Sequence, residues 1–253
     1  MENLGQIFHR MGMFSPTQPG ERLSDKQLAE YNTRYQEKLH LSNCLRCNGR
    51  STDPAWPCEK DPAYSQKVTY CRAGVPWPAT MTFSTFETLP GTEVALAVAT
   101  KMAVAPEGWL TLLGEYGTGK THLAMAAVYA LLDQGQRAWF TTAGELLDRW
   151  RSRYGKEEMD FGEMFQSDCL RPSLVVVDDL GSERGTEWAM ERLTMFLDTR
   201  YGRNLPTIIT TNNDKPTLAR RSGGRIADRV FDHHTGKVQV VVMDCPSYRT
   251  GRD

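Results

Sequence analysis

One glycine-rich segment combines the residue types that bind phosphate. Residues 114–121 read Gly-Glu-Tyr-Gly-Thr-Gly-Lys-Thr and match the pattern G-x-x-x-x-G-K-[ST] at every fixed position. In this pattern the backbone N–H groups converge on phosphate oxygens, the lysine reaches the β- and γ-phosphates, and the final hydroxyl binds Mg²⁺. The segment follows a predicted strand and opens a predicted helix, as the pattern requires. We therefore expect ATP or ADP to be held by Gly114, Tyr116, Gly117, Thr118, Gly119, Lys120, Thr121 and His122.

A second group of polar residues follows two apolar segments. Asp178 and Asp179 come after the run 174–177, and Asn212 follows the run 206–211. We expect Asp178 to bind Mg²⁺ together with Thr121, and Asp179 to polarise the attacking water. Related ATPases usually carry glutamate at the second position, so the shorter Asp179 predicts modest turnover. Asn212 is the candidate for orienting that water, although its neighbours are also typical of a turn.

Two arginines form a third candidate group. Arg225 and Arg229 are four residues apart, so they share one face if this segment is helical. One of them could reach the γ-phosphate of a neighbouring subunit as an arginine finger, which would make hydrolysis depend on self-association. The alternative is a solvated basic helix in which the arginines pair with Asp228 or Asp232.

Four of the six cysteines lie close together, at positions 44, 47, 58 and 71. Cys44 and Cys47 have the spacing of a zinc half-site, and with Cys58 and Cys71 they could form a Cys₄ zinc site. A metal would supply folding energy to a proline-rich stretch with few aliphatic residues. An iron–sulfur cluster and free thiols remain alternatives. The other two cysteines, Cys169 and Cys245, are expected to be small buried hydrophobic residues.

Alternating apolar patterns predict an α/β fold after residue 80. Strands are expected at 109–113, 138–142, 174–177, 206–211 and 238–243, and helices at 121–132, 143–154 and 187–201. This order predicts a parallel five-stranded sheet with helices on both faces. Helical spacing within residues 1–40, followed by the cysteine-rich stretch, predicts a separate domain. We place the boundary between domains 1–78 and 79–253.

A basic cluster with neighbouring aromatic residues suggests contact with nucleic acid. Such a combination suits single-stranded DNA, because bases stack on aromatic rings while cations neutralise phosphates. The alternative is a solvated helix end, where cations are favoured. The cluster comprises Arg149, Trp150, Arg151, Arg153, Tyr154, Lys156 and Phe161.

Composition excludes several classes of protein. The chain has 253 residues, a net charge of −1 and 40% hydrophobic residues, so it is neither a disulfide-stabilised mini-protein nor a disordered polycation. Its uncharged, mostly apolar stretch at residues 121–132 is much shorter than the roughly 20 residues that span a bilayer. The first residues do not have the pattern of a signal peptide. A cytoplasmic protein without a membrane partner is expected.

Taken together, these motifs resemble those of the bacterial replicative helicase loaders of the DnaC/DnaI type, which belong to the AAA+ superfamily. The related IstB-type transposition ATPases are also similar. The resemblance extends over about residues 80–250. It depends on the ordered set of segments 84–87, 114–121, 178–181, 206–212, 225–229 and 244–249.

The resemblance implies further roles for particular residues. Asn212 corresponds to the sensor 1 residue, Arg229 or in second place Arg225 to the finger, and Phe86 to a segment near the adenine pocket. It also implies an ATPase domain without a helical lid, slow hydrolysis that depends on assembly, and an N-terminal domain that binds zinc and a replicative helicase hexamer. A region around residues 149–161 would face single-stranded DNA.

Three other functions remain open on the sequence alone. An IstB-like ATPase would assist a transposase on duplex DNA, which the cysteine-rich N-terminal region disfavours. A nucleotide-dependent adaptor would bind ATP without using its hydrolysis. A small-molecule kinase could share the phosphate loop, but Asp178-Asp179 and the Arg225/Arg229 pair argue against it.

Overall fold

The computed structural model describes residues 62–153, 162, 165–182 and 186–249. The chain divides into two units, Met1–Cys71 and Arg72–Asp253. The predicted helix within residues 1–40 and three of the candidate zinc ligands, Cys44, Cys47 and Cys58, lie outside the described residues. Helix α1, Pro62–Arg72, lies in the proline- and cysteine-rich stretch.

The second unit is built on a parallel five-stranded sheet, as predicted. The strand order is β2-β3-β4-β1-β5, and every neighbouring pair is parallel. Each strand lies within one residue of its predicted bounds at either end, which is the usual uncertainty of such assignments. The strands are β1 Trp109–Leu113, β2 Ala138–Thr142, β3 Leu174–Asp178, β4 Thr207–Thr211 and β5 Val238–Val242.

Helices connect the strands and cover the sheet. The three predicted helices are present as α3, α4 and α5. Helix α2 was not predicted, and the segment that carries Arg225 and Arg229 is helical, as their spacing required. The bounds are α2 Glu93–Val104, α3 Lys120–Asp133, α4 Ala143–Arg153, α5 Glu187–Gly202, α6 Lys215–Ser222 and α7 Gly224–Val230, with a 3₁₀ turn at Phe83–Thr85 and a π-helical turn at Gln166–Leu170.

The central strands are apolar on both faces because helices cover both sides of the sheet. Val175, Val177 and Ile209 pack with residues of α4, α5 and α7 in one buried cluster. Val176 and Ile208 alternate with them along the strands and are also fully buried, on the face toward α3. This arrangement explains the continuous β-branched run of β3, which is typical of a central parallel strand.

The chain just after α1 is part of the second unit. The Phe140 N–H on the outer edge of β2 donates to the Ala73 carbonyl at 2.7 Å, and the Tyr129 hydroxyl donates to the Pro76 carbonyl at 2.6 Å. A domain boundary near residue 78 stays a prediction, although these bonds connect residues before it to the sheet. Within the described ranges, no helix combines the length and hydrophobicity needed to cross a membrane.

One arginine is buried at the amino end of the sheet. Arg200 of α5 is fully buried, and its guanidinium donates to the Thr207 hydroxyl at 2.9 Å and to the carbonyls of Cys169 and Pro206. Burial lowers the pKa of Arg200 to about 10. The side chain therefore joins α5, the π-helical turn and the start of β4 through one planar group with several donors.

Replacing Arg200 by methionine is expected to destabilise the protein strongly. Methionine fills a similar volume but removes the arginine donor from the Cys169 carbonyl, from the Thr207 hydroxyl and from the Pro206 carbonyl, which keeps, within the described part of the chain, only the Val175 N–H. A buried polar group that is left without a partner costs about 1–3 kcal/mol. We expect a loss of about 3 kcal/mol or more and, at roughly 2–4 °C per kcal/mol, a melting temperature lower by about 6 °C or more. Thermal unfolding monitored by circular dichroism measures this. The exposed Arg203→Met is the matched control and should leave the melting temperature nearly unchanged; equal effects of the two changes would contradict the assignment.

Candidate nucleotide-binding site

The phosphate-binding segment forms a tight loop between β1 and α3. Gly117 and Gly119 have φ angles of 82° and 90°, which disfavour any residue with a side chain. Space is also restricted, because a Cβ on Gly117 would lie 2.1 Å from Ser247 Oγ, and one on Gly119 would lie 2.9 Å from the Phe86 ring. The loop ends at the N-terminus of α3, where free N–H groups favour a bound anion.

Lys120 lies buried at the base of this loop. Its ammonium donates to the carbonyl oxygens of Gly114 and Glu115 at 2.8 and 2.7 Å. Burial lowers the pKa of Lys120, and the nearby carboxylates of Asp178 and Asp179 oppose this shift. The loop therefore holds a cation where the pattern expects one to meet phosphate.

A hydroxyl and a carboxylate that could bind Mg²⁺ are brought together next to the loop. The Thr121 hydroxyl at the start of α3 donates to both oxygens of Asp178, at 3.0 and 3.2 Å. Burial raises the pKa of Asp178, whereas hydrogen bonds from Thr210 and Thr121 lower it. The predicted pair is thus in contact although helix α3 and strand β3 are distant in sequence, and its oxygen atoms suit a hard divalent cation.

Asp179 and Asn212, the two residues predicted to position water, are in contact. The Asn212 side-chain nitrogen donates to an Asp179 carboxylate oxygen at 3.4 Å. Asn212 Oδ1 is buried and has no hydrogen-bond partner within the described residues. Such an acceptor is costly unless a water or ligand donates to it. This unsatisfied atom, beside a carboxylate and a phosphate loop, fits a site that orients water at a bound nucleotide.

Aromatic residues pack beside the loop where an adenine site was expected. Phe86 is buried and contacts His122 edge to face at 5.2 Å, and its ring also lies 5.8 Å from that of Tyr248. The His122 imidazole contacts the Thr82 carbonyl at 2.8 Å, which fastens the Phe86 segment to α3. Tyr116, by contrast, is an exposed residue at the outer side of the loop.

The segment after β5 lies over the phosphate loop, which the sequence analysis did not foresee. The Tyr248 N–H donates to the Gly117 carbonyl at 3.0 Å, and the Tyr248 hydroxyl donates to the Glu87 carbonyl. Cys245 is only partly buried, and its thiol lies 3.7 Å from the Thr118 carbonyl, so the expectation of a buried cysteine is wrong at this position. Cys169 is fully buried, as expected. Polar residues within 244–249 are the feature of the sequence that could have indicated a role near the phosphate loop.

Both candidate finger arginines contact one carboxylate of their own subunit. Arg225 Nε lies 2.5 Å from Asp198 Oδ2, and Arg229 Nε lies 3.2 Å from Asp198 Oδ1. The Arg229 guanidinium also lies 4.7 Å from the centre of the Tyr201 ring. The alternative in which these arginines pair with Asp228 or Asp232 is wrong, because both arginines contact Asp198. Asp228 pairs with Lys215 at 2.8 Å. The arginine side chains are 68% and 35% exposed for Arg225 and Arg229, respectively.

The basic cluster on α4 is less available for DNA than its sequence suggests. Arg149 makes a two-pronged ion pair with the buried Asp168, at 3.0 and 3.1 Å. Trp150 is fully buried and donates to the same carboxylate at 3.3 Å, so it cannot stack on a base. Arg151 is exposed and pairs with Asp148 at 2.9 Å. The Arg153 side chain, Tyr154, Lys156 and Phe161 lie outside the described residues.

The zinc site stays a prediction. Cys71, near the end of α1, is buried, and the other three candidate ligands lie outside the described residues. Among the residues that the structure describes, no group of three or more histidine, cysteine or acidic side chains is placed to hold a metal ion.

Together, these contacts define a P-loop nucleotide-binding site at the carboxyl edge of a parallel sheet. The sequence model of the family described as IstB-like ATP binding protein matches residues 82–252, and the chain belongs to this family. The parallel five-stranded sheet with its covering helices matches the AAA+ P-loop fold.

Among curated proteins, the replicative helicase loader DnaC of Escherichia coli K12 is 25% identical over 137 residues. This match covers 54% of each chain, so the chain spans about half the length of the curated relative. A putative ATP-binding protein of an insertion sequence in Mycobacterium tuberculosis is 25% identical over 162 residues, covering 64% of this chain and 63% of that protein. A crystal structure of the DnaC helicase loader superposes with a TM-score of 0.55 and 27% identity, covering 64% of this chain and 96% of that one.

Proposed function

We propose that this protein is an ATP-dependent loader of a DnaB-type replicative helicase. In this proposal the N-terminal domain binds the helicase hexamer, and the second unit self-associates and helps to place the helicase on single-stranded DNA. The observation that carries the proposal is the likeness to the solved DnaC loader, which spans nearly that whole chain. The predicted N-terminal zinc site would belong to the helicase-binding domain.

The residues of the site support slow ATP hydrolysis. Lys120 and the loop N–H groups would hold the phosphates, and Thr121 with Asp178 would hold Mg²⁺. Bound Mg²⁺ would supply a Lewis acid for the β- and γ-phosphate oxygens. Asp179 accepts a proton from, or polarises, the water that Asn212 orients.

Assembly would complete this site. Arg229 or Arg225 of a neighbouring subunit would stabilise the charge that develops on the transferred phosphoryl group. Because Asp198 binds both arginines, either one must leave or share that carboxylate to reach a neighbour. We expect slow hydrolysis in an isolated subunit, because no neighbour supplies the finger arginine there.

A second candidate function is support of a transposase on duplex DNA. The relative from an insertion sequence favours it, since that match covers more of this chain than the match to DnaC. The cysteine-rich N-terminal region disfavours this function, so it stands second.

Binding to the helicase is the decisive test. We expect the full-length chain to co-elute with the DnaB-type helicase of the same organism in size-exclusion chromatography with ATP. We also expect it to increase the unwinding of forked DNA by that helicase, because the helicase must first be placed on the single-stranded arm. The physical reason is that the loader must bind both the hexamer and the strand to bring them together.

Two parallel measurements decide between the functions. The first measures co-elution with the helicase. The second measures co-elution with the transposase of an insertion sequence in the presence of duplex DNA. Binding to the transposase alone would establish the second candidate. If neither protein co-elutes, helicase loading fails as the function.

A further inference from the structure

The chain direction changes sharply where β3 meets the candidate catalytic carboxylates. The ladder between β3 and β4 ends at the pair Val177–Ile209. Asp179, two residues later, has a φ of 54°, a left-handed conformation that is uncommon for residues other than glycine, although aspartate adopts it more readily than most. Such a conformation persists only where surrounding contacts hold it in place.

One hydroxyl supplies two of these contacts. Thr210 Oγ1 accepts a hydrogen bond from the Asp179 N–H at 2.9 Å and donates its own hydrogen to Asp178 Oδ1 at 2.6 Å. The Leu180 N–H donates to the Thr210 carbonyl at 2.9 Å. Thr210 is almost fully buried, so its partners cannot exchange it for bulk water at little cost.

The hydroxyl orients both carboxylates at once. A hydroxyl has a single hydrogen, and donation to Asp178 leaves its lone pairs to receive the Asp179 N–H. Among the residues that the structure describes, the Thr121 hydroxyl also donates to Asp178, and it is the group that would turn toward Mg²⁺. Thr210 would then be the remaining hydroxyl that keeps Asp178 in position.

We propose that Thr210 is a positioning residue that aligns the Asp178 carboxylate for Mg²⁺ and the Asp179 carboxylate for the attacking water. The inference rests on the proposed ATPase function. It assigns no contact with substrate to Thr210, because the residue acts through the two aspartates. A single buried hydroxyl would thus couple metal binding to water activation.

Thr210→Val tests this role, since valine keeps the shape and removes the hydroxyl. We titrate Mg²⁺ and follow the binding of a fluorescent ADP. We expect the Mg²⁺ concentration at which its binding reaches half of the maximum to rise at least fivefold. The affinity for the same nucleotide in EDTA should stay within twofold. We also expect kcat to fall at least tenfold, and Thr210→Ser to restore most of both values.

Thr111→Val is the matched control. Thr111 is also fully buried, on the neighbouring strand β1, and its hydroxyl donates to the Val230 carbonyl at 2.6 Å, not to a carboxylate. It should lower the melting temperature without moving the Mg²⁺ dependence.

The outcomes separate this inference from the function on which it rests. If wild-type protein binds no nucleotide, the proposed function fails before Thr210 is tested. If wild type responds to Mg²⁺ and Thr210→Val responds equally, Thr210 has no positioning role. If Thr210→Ser, which keeps the hydroxyl, is impaired as strongly as Thr210→Val, the hydroxyl does not by itself position the carboxylates, and the inference is overturned.

Discussion

Lys120→Ala is expected to lower ATP hydrolysis by about a hundredfold to a thousandfold, the loss typical for one pre-organised donor. The physical reason is that Lys120 is the buried cation of the phosphate loop, and its ammonium is held there by the carbonyls of Gly114 and Glu115. These carbonyl oxygens are acceptors, so they cannot replace the ammonium as a partner of phosphate. We also expect weaker binding of ATP, because the loop loses the charge that matches the β- and γ-phosphates. Release of phosphate and binding of a fluorescent ATP analogue measure the two effects.

The control for this change is Lys101→Ala on the exposed side of α2, which should leave both measurements unchanged. The melting temperature of each variant shows whether the fold survives. Lys120→Ala also tests the hypothesis that the protein is a nucleotide-dependent adaptor. If Lys120→Ala loads the helicase as well as wild type does, hydrolysis is not needed, and the protein acts as an adaptor that does not use the energy of ATP.

Removal of the finger arginine should have a comparably large effect, but only in assembled protein. In enzymes with such a residue the arginine contributes about 10³–10⁵ to kcat, and we expect at least a hundredfold loss here. Arg225→Ala and Arg229→Ala are compared with the exposed Arg220→Ala on α6, which should retain activity. Arg229→Ala should also lower the melting temperature, because Arg229 contacts both Asp198 and the Tyr201 ring.

Mixing two inactive variants identifies a finger that acts between subunits. A subunit with Lys120→Ala still carries both arginines, and a subunit with the finger replaced still carries an intact phosphate loop. Hydrolysis should therefore reappear in the mixture at interfaces that combine the intact halves. A mixture as inactive as its components would show that the arginine acts within its own subunit or only supports the fold.

Much of the site could be predicted because its motifs are local in sequence. Lys120 and Thr121 follow glycines that allow only one kind of loop, and Asp178 follows an apolar run that must be a buried strand. Once the strands are parallel, their carboxyl ends share an edge, which brings Asp178 to Thr121 and Asp179 to Asn212. The contacts among these residues agree with that expectation.

The parts that were missed depend on contacts between distant segments. No local pattern indicates that Asp198 binds Arg225 and Arg229, because the acid lies on a different helix. Trp150 looks like an exposed stacking platform beside arginines, yet the buried Asp168 turns it inward. Helix α2 lacks a clear polar face, since its alanines and valines surround the helix, so helical periodicity does not reveal it.

The strand order has a consequence for the birth of this protein on the ribosome. Strand β1, which leads into the phosphate loop, pairs with β4 and β5, the last two strands to be synthesised. Until they emerge, β1 has neither neighbour, and its apolar residues remain exposed to aggregation or to chaperones. The nascent chain can pair β2 with β3 early, but its nucleotide site is completed only when synthesis of this unit is nearly over.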